Sequence, residues 1–147
     1  MSHIRKMQET DLAECAQILE DAYGLPPYNE KFPSGTSLAY IKSKYAYCAE
    51  HSFILEDEDN IVGFIISSLS VWVEGGQAII EEIVVSPSHQ GKGYGKALIV
   101  HTEKYLKDID IHSVILWGRR DAPAHGFHKS NGFEDSDEWV IMSKELS

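Results

Sequence analysis

The chain has 147 residues, the size of one domain and long enough to close a core, and its 13 Lys plus Arg against 23 Asp plus Glu give a formal charge of −10. Such a surface repels nucleic acid and anionic membrane and attracts cationic partners such as amines. Cys15 and Cys48 stand far apart with no Cys-x-x-Cys spacing, which argues against a disulfide framework or a thiolate metal site. The first residues lack the apolar core of a signal peptide, and no apolar run approaches the ~20 residues a membrane span requires. A cytoplasmic protein with no membrane or nucleic-acid partner is expected.

Residues 3–7 read as a short first strand, after which Thr10 is placed to cap a helix. Leu12, Cys15, Ala16, Ile18, Leu19 and Ala22 then recur at helical spacing until Gly24-Leu25-Pro26-Pro27 ends the run. Residues 28–35 contain Pro33 and Gly35 and little periodicity, so a loop is expected. Residues 36–49 predict a second helix with Leu38, Ile41 and Tyr45 inward. Residues 51–56 and 61–71 are apolar, β-rich runs split by Asp57-Glu58-Asp59-Asn60, a hairpin tip. A second turn at Glu74-Gly75-Gly76 leads into a strand over residues 78–85, so three consecutive antiparallel strands follow. Downstream the pattern predicts a helix over 92–106, a short strand over 113–117, and a helix over 121–130 stopped by Asn131-Gly132. Residues 133–142 read as a last strand or hairpin. This order specifies an α/β fold in a single domain, 1–147, without repeats or linkers.

Residues 78–100 organise the rest. The strand is apolar and β-branched except for Glu81 and Glu82, which suits burial on both faces. Pro87 stops it. Gly91, Gly93 and Gly95 allow a tight turn whose backbone approaches a ligand, and the residues after Lys96 continue with an apolar helical face. The N-terminus of a helix carries roughly +0.5 charge and unpaired N–H donors, so a polyphosphate is the natural guest, with Lys92 and Lys96 adding whole charges. Walker A fails, because Gln90 stands where its first glycine belongs and Ala97 follows Gly95-Lys96. A dinucleotide fingerprint also fails for want of glycine at 96 or 98.

What fits is Gln/Arg-x-x-Gly-x-Gly, as Gln90, Gly93 and Gly95, and here the sequence resembles the GNAT superfamily of acyl-CoA N-acyltransferases. A second motif, from Ala124 to Phe133, resembles the closing GNAT signature Ala-x-x-Phe-Tyr-x-x-x-Gly-Phe: Ala124, Phe127, Gly132 and Phe133 are on pattern, and His128 stands where tyrosine is usual. The resemblance implies a mixed central sheet flanked by helices and acetyl-CoA as acyl donor, with no metal. It implies that Gln90, Gly91, Lys92, Gly93, Tyr94, Gly95 and Lys96 hold the pyrophosphate and that the backbone of Ile83, Val84 and Val85 runs beside the pantetheine arm. An asparagine contact of the family falls on Asp121 here, a departure that leaves helix capping as its other reading. Tyr28 and Phe32 are candidates for the acceptor pocket by position.

N-acyl transfer needs a polarised thioester carbonyl, a deprotonated amine and a departing thiolate. Amines with a pKa near ~10 arrive mostly protonated, so a side chain or a water chain must accept a proton before attack. Strand alternation puts Glu82 on the face of Ile80 and Val84, and Glu81 with Ile83 on the other. The family pattern favours Glu82 as base, with Glu81 as the alternative. His128 is a candidate acid for the thiolate, with packing as its other role; an acid role predicts activity that falls at high pH. His125 and His128 share a helix face without a further ligand, so no metal is expected. The acceptor expected is a small cationic amine. A protein N-terminus, or a non-catalytic CoA-binding sensory module, are the alternatives, and a homodimer is compatible with the superfamily.

Overall fold

The computed structural model describes residues 1–73 and 75–147 and forms two compact units, Met1–Trp117 and Gly118–Ser147. In the first unit the strands are β1 (Ser2–Lys6), β2 (Ser52–Asp57), β3 (Asn60–Trp72), β4 (Gly75–Val85) and β5 (Val114–Leu116). They form one mixed sheet in sequence order, with β1 to β4 antiparallel and β4 parallel to β5. Three helices flank it: α1 (Leu12–Tyr23), α2 (Thr36–Cys48) and α3 (Tyr94–Asp108). The three consecutive antiparallel strands are present. Of the turn expected at 74–76, Glu74 lies outside the described residues, and Gly75 and Gly76 belong to β4.

The strand buried on both faces is β3 rather than β4: Val62 to Ser67 are all buried, whereas β4 alternates between buried and half-buried. The middle strand of five has neighbours on both edges and helices on both faces, and it shares with the first half of β2 an unbroken buried run. Toward one face Ile54, Phe64, Ile66 and Val84 pack with Leu12, Cys15, Ile18, Leu19 and Ile41 of α1 and α2. Toward the other, Phe53 meets His101 and Tyr105 of α3 edge-on, at ring-centroid separations of 4.6 and 5.2 Å. Each large side chain closed off in this way contributes about 1.5–3 kcal/mol of hydrophobic stabilisation.

Thr10 does not cap α1. The residue at its N-terminus is Asp11, and its carboxylate is used to close the approach to the helix. Asp11 Oδ2 accepts the Gln8 N–H at 2.7 Å, and Arg5 donates to both carboxylate oxygens at 2.8 Å while reaching Glu56. Asp11 is 6% exposed, and through Arg5 it joins Glu56 in a cluster of three charges that ties β1, the entry to α1 and β2.

The second unit holds one helix, α4 (Pro123–Ser130), ended as expected at Asn131 and Gly132: Gly132 has φ 91° and the Phe133 N–H returns to the His128 carbonyl at 3.1 Å. The strand expected over 133–142 is not formed. Trp139, Val140, Ile141 and Met142 are 71–87% exposed. Within its own unit this segment meets no second strand, and a lone strand has no ladder to satisfy its backbone.

The Arg5 bond holds the Asp11 carboxyl below its ordinary 3.8, helped by the Gln8 N–H and opposed by burial. A lowered folded pKa stabilises fully above the ordinary value and is lost as pH falls through the folded one. Asp11→Asn is expected to cost about 2 kcal/mol at pH 7, lowering Tm by about 6 °C, and the gap to the parent should close below about pH 3.8. Thermal melts of both proteins against pH measure this.

Candidate active site

A bulge in β4 builds the site. Ile66 of β3 lies opposite Glu82 and Ser67 opposite Ile80, which makes Glu81 an extra residue without a partner. Two residues against one rephase the pleat. The expected sharing of a face by Ile80 and Glu82 is therefore overturned: their partners are consecutive on β3, so they point to opposite sides. Glu82 keeps the face of Val84, toward α1 and α2. Glu81 turns to those helices too, its Oε2 3.6 Å from Lys44 Nζ and its Oε1 accepting from Ser68 Oγ at 3.3 Å.

Both oxygens of half-buried Glu82 accept phenol protons. Tyr40 Oη donates to Oε1 at 2.6 Å and Tyr23 Oη to Oε2 at 3.0 Å. Burial pushes the carboxyl above its ordinary 4.5 even though both phenols pull it down. Burial, with the carboxylate nearby, pushes both phenols far up, so they remain proton donors. Tyr28 stacks at a tilt on Tyr23 with ring centroids 4.7 Å apart, which brings it beside the carboxylate's partner. Phe32 is half-buried against the α1/α2 core. Sequence reasoning missed Tyr23 and Tyr40. A signal existed, because Tyr40 and Lys44 are four apart on one helix and share a face.

Beyond the bulge the sheet opens. β5 pairs with β4 only from Ala78 to Ile80, so among the described residues 81–85 have no strand on that edge. β4 then passes through a short turn at Pro87–His89 into the glycine loop. Gly91 and Gly93 have φ 78° and 83°, and nothing lies within 4 Å of a Cβ built on either, so the outer side of the turn is open. Left-handed Gly93 starts α3 at Tyr94, two residues later than expected. Among the described residues no hydrogen bond uses the N–H groups of residues 91–96, and the first that is engaged is Ala97, to the Gly93 carbonyl at 3.0 Å. Lys92 and Lys96 are exposed beside them. Gln90 faces back, its Nε2 donating to the Val85 carbonyl at 3.0 Å, so it braces the turn against the strand. The Tyr94 hydroxyl donates to Asp57. These donors suit a diphosphate, and the open β4 edge suits an extended amide-bearing arm.

In the second unit His128 is 8% exposed, flanked by the rings of Phe127 and Phe133, and its Nδ1 has no hydrogen-bond partner among the described residues. Burial first, then His125, holds its imidazole below the ordinary 6.5. Asp121 is exposed and paired with Arg119 Nε at 2.7 Å; it does not cap α4, whose N-cap is Ala122. His125 pairs with Asp135 at 2.7 Å. Among the described residues no group of three His, Cys, Asp or Glu side chains is arranged to hold a metal ion.

Residues 12–133 match the model of the acetyltransferase (GNAT) family. Glucosamine 6-phosphate N-acetyltransferase of Trypanosoma brucei brucei is 32% identical over 120 residues, covering 77% of each chain. Other curated relatives are longer, and the chain spans between 16% and 66% of their length. A possible acetyltransferase from Clostridium difficile 630 superposes with a TM-score of 0.83 at 14% identity, over 100% of this chain and 99% of that one. A predicted acetyltransferase from Clostridium acetobutylicum, solved with acetyl-CoA, superposes with a TM-score of 0.74 at 18% identity, over 97% and 96%.

Valine at position 93 would have to take the left-handed φ of 83° that α3 starts from. Gly93→Val is expected to weaken coenzyme A binding by at least about tenfold, since one lost backbone donor to an anion is worth about 1.5–3 kcal/mol. Titration calorimetry reads this, and unchanged affinity removes the turn from the site.

Proposed function

Because the chain belongs to the GNAT acetyltransferase family, whose acyl donor is acetyl-CoA, we propose that it moves the acetyl group directly to a primary amine of a small cationic molecule, with residues 1–147 acting as one transferase domain. The observation that carries this is a desolvated carboxylate, Glu82, held on the strand whose open edge leads into the phosphate-binding turn.

In this reading the exposed N–H groups of residues 91–96, with Lys92 and Lys96, take the diphosphate, and Gln90 keeps their turn in register with β4. The arm lies along Ile83, Val84 and Val85, where a main-chain amide polarises the thioester oxygen as negative charge develops. Glu82 accepts the amine proton, its raised pKa bringing it closer to that of the acid it must deprotonate. Glu81, the alternative base, already carries Lys44 at 3.6 Å, which leaves Glu82 the better placed of the two to take a proton. Tyr28 and, more remotely, Phe32 wall the acceptor side. Asp121, engaged by Arg119, is at most a peripheral cofactor contact. The thiolate, with a pKa near ~8.5, takes its proton from water at neutral pH. His128 donates only below its lowered pKa, where the imidazolium is populated. The charge of −10 and the amino-sugar relative both favour a small amine over a polypeptide.

Acetyl-CoA with a panel of amines that includes glucosamine 6-phosphate, followed by free thiol release, tests the reading. Saturable turnover is expected on at least one amine, and Glu82→Gln should lower kcat/KM by about 10²–10⁴ without weakening coenzyme A binding. Tight coenzyme A binding with no turnover on any amine would leave a sensory module.

Since the base must be ionised, kcat/KM should fall as pH drops through a value above the ordinary 4.5 of glutamate. His128→Phe should retain turnover within about threefold at pH 7.5, because little imidazolium exists there to lose. A larger fall at that pH makes His128 an acid in its own right.

A further inference from the structure

Resting on Glu82 as base, we propose that the amine proton does not reach the carboxylate directly but passes through the hydroxyl of Tyr40, with Tyr23 as the positioning residue that fixes the other carboxylate oxygen. Each Glu82 oxygen already holds a phenol proton, Oε1 from Tyr40 at 2.6 Å and Oε2 from Tyr23 at 3.0 Å. Both phenols come from helices on the face toward which Glu82 points, so they stand between the carboxylate and anything arriving from that side. An amine is thus offered a phenol oxygen carrying free lone pairs, behind which the proton path to Glu82 is already formed.

Tyr40 is the carrier for two reasons. Its bond to Glu82 is the shorter, in the range of a charge-assisted O–H···O⁻ contact, which favours proton movement along it. Tyr23 is stacked on Tyr28 and ends α1, which suits a fixed support. The groups facing the pair are Tyr23 of α1, Tyr28 of the following loop, Tyr40 and Lys44 of α2, and Glu81 of β4. Glu20, one turn before Tyr23 on α1, is engaged elsewhere and accepts from Ser37 Oγ at 2.6 Å. Lys44 Nζ lies 5.6 Å from the centre of the Tyr40 ring and 3.6 Å from Glu81, so its charge steadies the carboxylates without entering the proton path. Both phenols are held protonated well above neutral pH, as a relay that never ionises requires.

The step balances. One N–H bond of the ammonium breaks as its proton passes to Tyr40 Oη, and the original Tyr40 O–H bond breaks as that proton passes to Glu82 Oε1. Two O–H bonds form. The phenol ends neutral, Glu82 ends as a carboxylic acid, and the nitrogen keeps the electron pair that attacks the thioester carbonyl.

The test uses the full chain with acetyl-CoA and glucosamine 6-phosphate, or whichever amine of the panel above is turned over fastest. Tyr40→Phe should lower the plateau kcat by about 10² or more with coenzyme A affinity unchanged. Tyr23→Phe should move the acid limb of kcat/KM to higher pH, because the carboxylate has lost one donor that favours its charged form. If Tyr40→Phe fails to fold, 3-fluorotyrosine at position 40 decides: its more acidic phenol should change the plateau several-fold while binding is unaffected. A Tyr40→Phe protein with the parental plateau, or a fluorotyrosine protein indistinguishable from the parent, overturns the relay. The underlying reading fails differently, through full activity in Glu82→Gln or no turnover on any amine, and the relay then falls with it.

Discussion

A carboxylate taken out of water must be given donors, and the geometry around Glu82 follows from that need. Two phenols, from the end of α1 and from the second turn of α2, supply them. Neither helix can shift without leaving one oxygen of this largely desolvated carboxylate without its donor, a loss of roughly 1–3 kcal/mol. The helices that close the core over Cys15, Ile41 and Val84 are thereby also the ones that hold the Glu82 carboxylate. Packing and chemistry are held by the same contacts.

The other half of the site comes from what the sheet leaves unpaired. β5 joins β4 over three residues only, and the strand then continues alone along one edge before turning through left-handed glycines into α3. Unused main-chain donors, which a folded protein ordinarily conceals, are here lined up on a single exposed path. Donors arranged in this way suit an extended amide-bearing arm followed by a diphosphate.

Much of this was legible in the residues. The turns at 57–60 and 131–132, the helical spacing of Leu12 to Ala22 and the glycines of 91–95 all act over a few residues, where local chemistry decides conformation. What escaped was non-local. The bulge at Glu81 exists only through pairing with β3, so alternation counted along one strand misassigned the face of Ile80. Tyr23 and Tyr40 looked like ordinary amphipathic helix residues until the fold set them 59 and 42 positions from the glutamate they hold. The apolar run from Trp139 to Met142 has the composition of a strand, but composition does not supply a partner.

The unpaired Glu81 also divides β4 into two lengths with separate bookkeeping of inside and outside. Ahead of it, Ala78 to Ile80 answer to β5 and the start of the parallel pair; behind it, Glu82 to Val85 answer to the helices and the ligand path. Removing Glu81 would leave both lengths facing as they do now, since Ile80 and Glu82 would then stand side by side opposite Ser67 and Ile66 in plain alternation. What the insertion adds is a second carboxylate on the α1/α2 face: one strand presents two consecutive acidic side chains to the same pair of helices without turning any neighbour over.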